Sequence, residues 1–280
     1  ALLAITLSGS SITLDGVGAF VSVGSSANTA SAYNLIAGDS LNKITGANKA
    51  TAAGTISLTA TTGGIIINGN AGNVSLSADS GAFGFAYNSI DSNGGGDDQL
   101  NKISGGNTAA ATTSLTIKAG TTLNVSGGNV DAQTRGGTGS AYNGVFGGDS
   151  NNIAGNNTAS GTVSLSLTAG TALTMAATAG GGDVSISAIG FSADVRAFNR
   201  ADLKKNSVTG NNTGNASNSI TVSGKSVAIT ANGDVRIRGT SAEADAFNLI
   251  GGGVGANVLS GSNKATANSK TSITATGGDL

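Results

Sequence analysis

No proline, cysteine, histidine or tryptophan occurs among the 280 residues. Without histidine or cysteine the chain cannot build a Ser-His-Asp triad, a thiol nucleophile, a zinc site of the usual kind or a disulfide framework. Charge is scarce as well: Asp, Glu, Lys and Arg make up 10% of the sequence, against about 25% in an ordinary globular protein. A formal net charge of −1 lacks the basic footprint that nucleic-acid binding needs. No apolar run approaches the ~18 residues of a membrane-spanning helix, so no membrane span is expected. Ala1-Leu2-Leu3-Ala4-Ile5 lacks the basic start of a secretory signal and gives way at once to polar alternation. The expectation is a mature or excised segment, not a cytoplasmic protein. Glu243 is the single glutamate and no acids cluster outside turns. The carboxylate pair that lets some hydrolases work without histidine is therefore missing, and no enzyme activity is expected.

What is present is small: 46 glycines, with Ala, Ser, Thr and Asn making up much of the rest. Such a composition borders on disorder, but disorder also requires high net charge, and the periodicity argues against it. Ala-aromatic-Asn occurs five times, as Ala32-Tyr33-Asn34, Ala86-Tyr87-Asn88, Ala141-Tyr142-Asn143, Ala197-Phe198-Asn199 and Ala246-Phe247-Asn248. The spacings are 54, 55, 56 and 49 residues. A second motif, N-x-[ILV]-x-G-x-N, follows each triplet, running Asn42–Asn48, Asn101–Asn107, Asn151–Asn157, Asn206–Asn212 and Asn257–Asn263. Two patterns recurring in one order mark an internal repeat.

Between the motifs, apolar and polar residues alternate, as in Val163-Ser-Leu165-Ser-Leu167, Leu173-Thr-Met175 and Val184-Ser-Ile186. Period 2 means strands with one buried face, here in pieces of four or five residues separated by Gly, Asn or Asp. Proline would remove a ladder donor from interior strands, and like charges on neighbouring strands would repel, so both scarcities fit. The expected fold is all-β, a right-handed parallel β-helix (β-solenoid) of about five ~54-residue repeats, at roughly 1–55, 56–113, 114–162, 163–219 and 220–271, with a partial repeat at 272–280. Dividing the repeat into two coils of about 27 residues is preferred to three of about 18. At about 4.8 Å per coil that gives a length of roughly 50 Å, or 75 Å for three. Leu165, Leu167, Leu173, Val184, Ile186, Ile153, Ile103 and Ile44 should point inward, and Ser164, Ser166 and Ser185 outward. Neither end carries a polar cap, so the chain reads as a window onto a longer array whose neighbouring repeats or subunits meet it end to end.

Val163-Ser-Leu-Ser-Leu-Thr-Ala-Gly-Thr-Ala-Leu-Thr-Met175 and Ser114-Leu-Thr-Ile-Lys-Ala-Gly-Thr-Thr-Leu-Asn-Val-Ser-Gly-Gly-Asn129 resemble the repeats of filamentous-haemagglutinin-like exoproteins of Gram-negative bacteria. These are large repetitive β-helical adhesins, many exported by two-partner secretion through an outer-membrane partner. The resemblance covers essentially the whole chain. It implies a secreted, cell-surface rod for attachment, with host-cell or matrix glycans as partners. The alternative is a structural segment of an extracellular filament, sheath or biofilm-matrix fibre.

Candidate chemistry is sparse. Asp39, Asp97, Asp98, Asp149 and Asp202 precede the second motif. They read either as calcium ligands in a loop or as turn residues bonding their own backbone; no other cofactor is expected. Gly252–Val258 is close to a calcium-binding nonapeptide but stands alone. The triplet aromatics could stack on sugars, or pack on the next coil while the Asn closes a turn. Arg196, Arg200, Lys204 and Lys205 form the densest charge, either a contact for an acidic glycan or a solvated loop.

Overall fold

The computed structural model describes residues 2–16, 21–25, 29–38, 40–79, 82–92, 100–190, 194–202, 204–240, 242–251 and 256–279. Among these every regular element is a strand and every strand pairing is parallel. One circuit of the chain shows the plan. Asn48–Ala60 is a 13-residue strand, followed by Ile65–Asn68, Val74–Asp79, Phe83–Asp91 and the two-residue Lys102–Ile103. The next strand, Asn107–Ala119, then lies directly on Asn48–Ala60, pairing Asn107 with Asn48 through to Ala119 with Ala60.

Each strand therefore pairs with its counterpart one whole repeat away. The partners lie from 49 residues apart (Asp194 with Glu243) to 59 (Asn48 with Asn107). This corrects the expected division of the repeat into two or three coils. The short alternating pieces are laid end to end around one circuit instead of stacking on each other. Five such layers at about 4.8 Å rise roughly 24 Å, not 50. Three five-stranded sheets result, together with a ten-stranded sheet in which two stacks are joined. The join is Asn212–Ala231, a 20-residue strand that runs through the bend and pairs with both Asn157–Ala169 and Ala172–Ala177. The expected boundaries 113/114, 162/163 and 219/220 fall inside the long strands.

The interior has a wide part and a narrow part. In the wide part Leu, Ile and Val from the second half of each long strand meet those of the following two strands; Leu165, Leu167, Leu173, Val184 and Ile186 are all buried there. Ser164, Ser166 and Ser185 are half-exposed, so the expected facing is correct. In the narrow part alanine meets alanine: Ala50, Ala109, Ala159 and Ala216 of the long strands face Ala86 and Ala141. The sheets approach so closely that a Cβ on Gly84 would sit 2.7 Å from the carbonyl oxygen of Ala110. Ile44, Ile103, Ile153 and Val208 fill a third corner with Ile90 and Val145. Burial of each Leu or Ile side chain stabilises the fold by about 1.5–3 kcal/mol.

Candidate functional site

The two sequence motifs meet in space at one corner. The triplet lies inside a nine-residue strand, as in Thr138–Phe146, and each of its residues has its own direction. Ala32, Ala86 and Ala141 face the narrow interior, while the aromatics face out and the asparagines face in. Contrary to the expectation that it closes a turn, the asparagine sits in mid-strand. Asn34 Nδ2 donates to Asn88 Oδ1, Asn88 to Asn143, Asn143 to Asn199 and Asn199 to Asn248, each at 2.9 Å. All of these amides point the same way along the stack.

The last asparagine of the second motif forms a parallel ladder, from Asn48 through Asn107, Asn157 and Asn212 to Asn263, at 2.9–3.0 Å. Cross-bonds tie the two ladders: Asn107 Nδ2 donates to Asn143 Oδ1 at 2.8 Å and to the Tyr142 carbonyl at 2.7 Å. Asn143 is thereby saturated. It accepts from Asn88 and Asn107 and donates to Asn199 and to the Gly155 carbonyl. Buried amides are tolerable only when bonded in this way, and chained amides polarise one another.

The rest of the second motif follows from the same stacking. Its first asparagine receives a backbone N–H from the layer before, Asn151 N to Asn206 Oδ1 at 2.9 Å and Asn206 N to Asn257 Oδ1 at 2.8 Å. Its Nδ2 ties the preceding loop, as in Asn206 Nδ2 to the Asp202 carbonyl at 2.7 Å. Asn101 Nδ2 lacks a partner among the described residues; the equivalent carbonyl, four residues back, falls within 93–99, outside them. The glycine is dictated by contact, since a Cβ on Gly155 would run into the Gly105 carbonyl, and one on Gly210 into that of Gly155.

On the outside, the rings of Tyr33, Tyr87, Tyr142, Phe198 and Phe247 stack at 4.9–5.0 Å, within 5° of parallel. The expectation that each ring packs on the next layer holds. Ring faces inside the column are covered by neighbouring rings, leaving edges and the tyrosine hydroxyls to the outside. Burial, with Tyr87 alongside, pushes the Tyr142 hydroxyl above its ordinary value.

Of the candidate calcium ligands, Asp39, Asp97 and Asp98 lie outside the described residues. The other two do not occupy equivalent positions. Asp149 is buried and takes the Lys204 ammonium at 3.4 Å and the Lys204 backbone N–H at 3.2 Å. Asp202, which pairs in register with Gly251, holds Arg200 at 3.1 Å. Arg200 also lies over the Phe146 ring, 5.4 Å from its centre. Two cations of the basic cluster thus neutralise the two described aspartates, and a buried carboxylate needs such a partner. Among the described residues no three acids come together to hold a metal ion. Gly252–Gly255, the core of the nonapeptide-like stretch, and the side chain of Arg196 lie outside the described residues, while Asn257 is used in the corner ladder. The sequence allows asparagines at corners to ladder through their side-chain amides; what sequence reasoning missed is that the ladder faces inward from mid-strand, and its signal was the fixed phase between the two motifs. Comparison with protein-family models, curated proteins and solved structures found no match.

Proposed function

We propose that the chain is a stretch of right-handed parallel β-helix from a secreted, cell-surface rod of adhesin type, similar in kind to filamentous-haemagglutinin-like exoproteins, and that it gives attachment or reach without catalysis. The observation supporting this is the pairing of each strand with its counterpart one repeat away. Every repeat then adds a layer along one axis, and no feature of the layer fixes how many there must be. End-to-end contact with neighbouring repeats or subunits continues that axis, and glycans of host cells or matrix are the partners sought. The test is adhesion: beads carrying the chain should bind host cells or matrix, and the free chain should compete with them. Beads that bind no better than beads carrying albumin would refute attachment.

A structural role in a filament, sheath or matrix fibre is the second reading. It is favoured by the inward direction of both motif asparagines, which serve contacts between layers and not display. Under that reading the free chain competes with nothing, yet its removal from the parent protein shortens or weakens the fibre under electron microscopy.

A further inference from the structure

We propose that the outer face of the sheet carrying the triplets is a self-association surface, on which the same face of a second copy of this chain docks side by side. Eight of the ten aromatic residues lie on this one face: the five stacked rings together with Phe83, Phe85 and Phe146. Aromatics normally enter the core, but here the core is built from Ala, Leu, Ile and Val. None of the nine lysines lies on these five strands, whereas the outer face of the long strands shows Ser, Thr and Lys, as in Thr116, Lys118 and Ser166. The same strands carry seven charged residues, Asp91, Asp194, Arg196, Arg200, Asp202, Glu243 and Asp245, so it is the aromatic column, and not the whole face, that has the composition of an interface centre. Phe146 is laid across Gly144, where a Cβ would meet its ring at 2.7 Å, and Arg200 lies over the ring. The Phe146 ring is thus held in place.

The size fits one occupant. Strands of nine residues at about 3.3 Å per residue are about 30 Å long, and five of them span about 24 Å. The face then measures about 700 Å², so two copies bury about 1,400 Å², within the roughly 1,600 ± 400 Å² of stable pairs. A second copy also carries the same ring period, set by the same strand spacing, so its column of rings can lie opposite this one, ring against ring. The exposed leucines select the orientation. A two-fold axis along the stack would lay Leu35 on Ser31 and Leu249 on Asp245 of the other copy. A two-fold axis along the strands reverses the layers instead. It sets Asp245 against Ser31, Tyr33 against Phe247 and Leu35 against Leu249, with Tyr142 on the axis. The second pairing gives the two leucines each other; it also sets Asp91 against Asp202, whose charge Arg200 offsets.

Sedimentation of the 280-residue chain over a concentration series provides the test. The expected result is a closed dimer, twice 26.6 kDa, weakened about 30-fold or more by Tyr142→Arg at its centre and unchanged by Thr116→Arg on the hydroxyl face. A single-chain mass at all concentrations, or association indifferent to Tyr142→Arg, such as open-ended growth through the stack ends, would overturn the proposal. Because the chain has no cysteine, oxidation of Tyr142→Cys gives a second measurement that does not depend on how well the arginine variant folds. Tyr142→Cys should cross-link to itself, and Tyr33→Cys should cross-link to Phe247→Cys. No cross-link at 142 refutes the surface, and Tyr33→Cys joined to its own copy refutes the orientation.

Discussion

Asn143 is the sharpest place to perturb the corner. Its amide is fully buried and makes four hydrogen bonds, accepting from Asn88 at 2.9 Å and Asn107 at 2.8 Å and donating to Asn199 at 2.9 Å and the Gly155 carbonyl at 3.2 Å. Each buried bond contributes about 1 kcal/mol net. Asn143→Ala should therefore destabilise the chain by about 4 kcal/mol, less whatever its neighbours recover through their other partners, since Asn107 keeps Asn157 and Asn199 keeps its bond from Asn157. Asn143→Asp keeps the shape but sets a carboxylate oxygen against Asn199 Oδ1. The buried acid then has a folded-state pKa above its unfolded value of about 3.9. Its penalty is present at neutral pH and is lost as pH falls below the unfolded value, where the protonated acid can donate again. Urea unfolding followed by far-UV circular dichroism, at pH 7 and pH 3, measures both. An Asn143→Ala loss below about 1 kcal/mol, or an Asn143→Asp variant no better relative to wild type at pH 3 than at pH 7, would show that the ladder does not hold the layers together.

Gly155→Ala should cost about 3 kcal/mol by driving its Cβ into the Gly105 carbonyl, read as a lowered urea midpoint; a neutral result would contradict the close approach. Leu41 is 72% exposed with a φ of 56°, a backbone region that costs a bulky residue about 1–2 kcal/mol, so Leu41→Asn should raise stability by about 1 kcal/mol in the same assay. Burial raises the Asp131 carboxyl, more than its bond to Ser185 and the charge of Arg135 lower it. The ionised form is thus disfavoured on folding, and Asp131→Asn should raise the melting temperature at pH 7 but not at pH 3, where the native acid is already neutral. If the loops around Asp39 and Asp97–Asp98 take calcium, titration calorimetry should show saturable binding that Asp97→Asn with Asp98→Asn abolishes; no heat above dilution at millimolar calcium removes the calcium reading.

The parts of the fold legible in the sequence were those with a hydrophobic signal. Val163-Ser-Leu-Ser-Leu alternates plainly, and Leu165 and Leu167 are buried as that alternation requires. The first half of the same strand, Asn157-Thr-Ala-Ser-Gly-Thr, alternates just as strictly, but its inward residues are Asn157, Ala159 and Gly161. Small and polar inward residues carry no hydrophobic period, so a 13-residue strand read as a short one, and the repeat appeared to hold more coils than it does. The asparagines were misplaced for a related reason. Asn is a turn former by propensity, and its place in mid-strand comes from the partner one layer away, about 50 residues distant in sequence. The outward aromatic column was half-legible: five rings at one motif position imply a stack, but their direction depends on the Ala and Asn beside them facing in.

The same geometry separates what can vary from what cannot. Asn101 follows Asn88 by 13 positions, whereas Asn151 follows Asn143 by 8. Yet Asn88 still pairs with Asn143, and Lys102 still pairs with Asn152. The five extra residues change the sequence distance between partners from 55 to 50 and leave the register intact. Register is fixed on either side of the loop by the amide ladder, the glycine contact and the Ile103–Ile153 pairing, so the loop between is free to lengthen. A protein of this build can therefore change what it presents at that corner, layer by layer, without altering the stack behind it. Loops are where binding surfaces diversify on rigid scaffolds. Under the attachment reading, differences in recognition between layers would belong in the segments between the two motifs, because the motif residues themselves hold the layers in register.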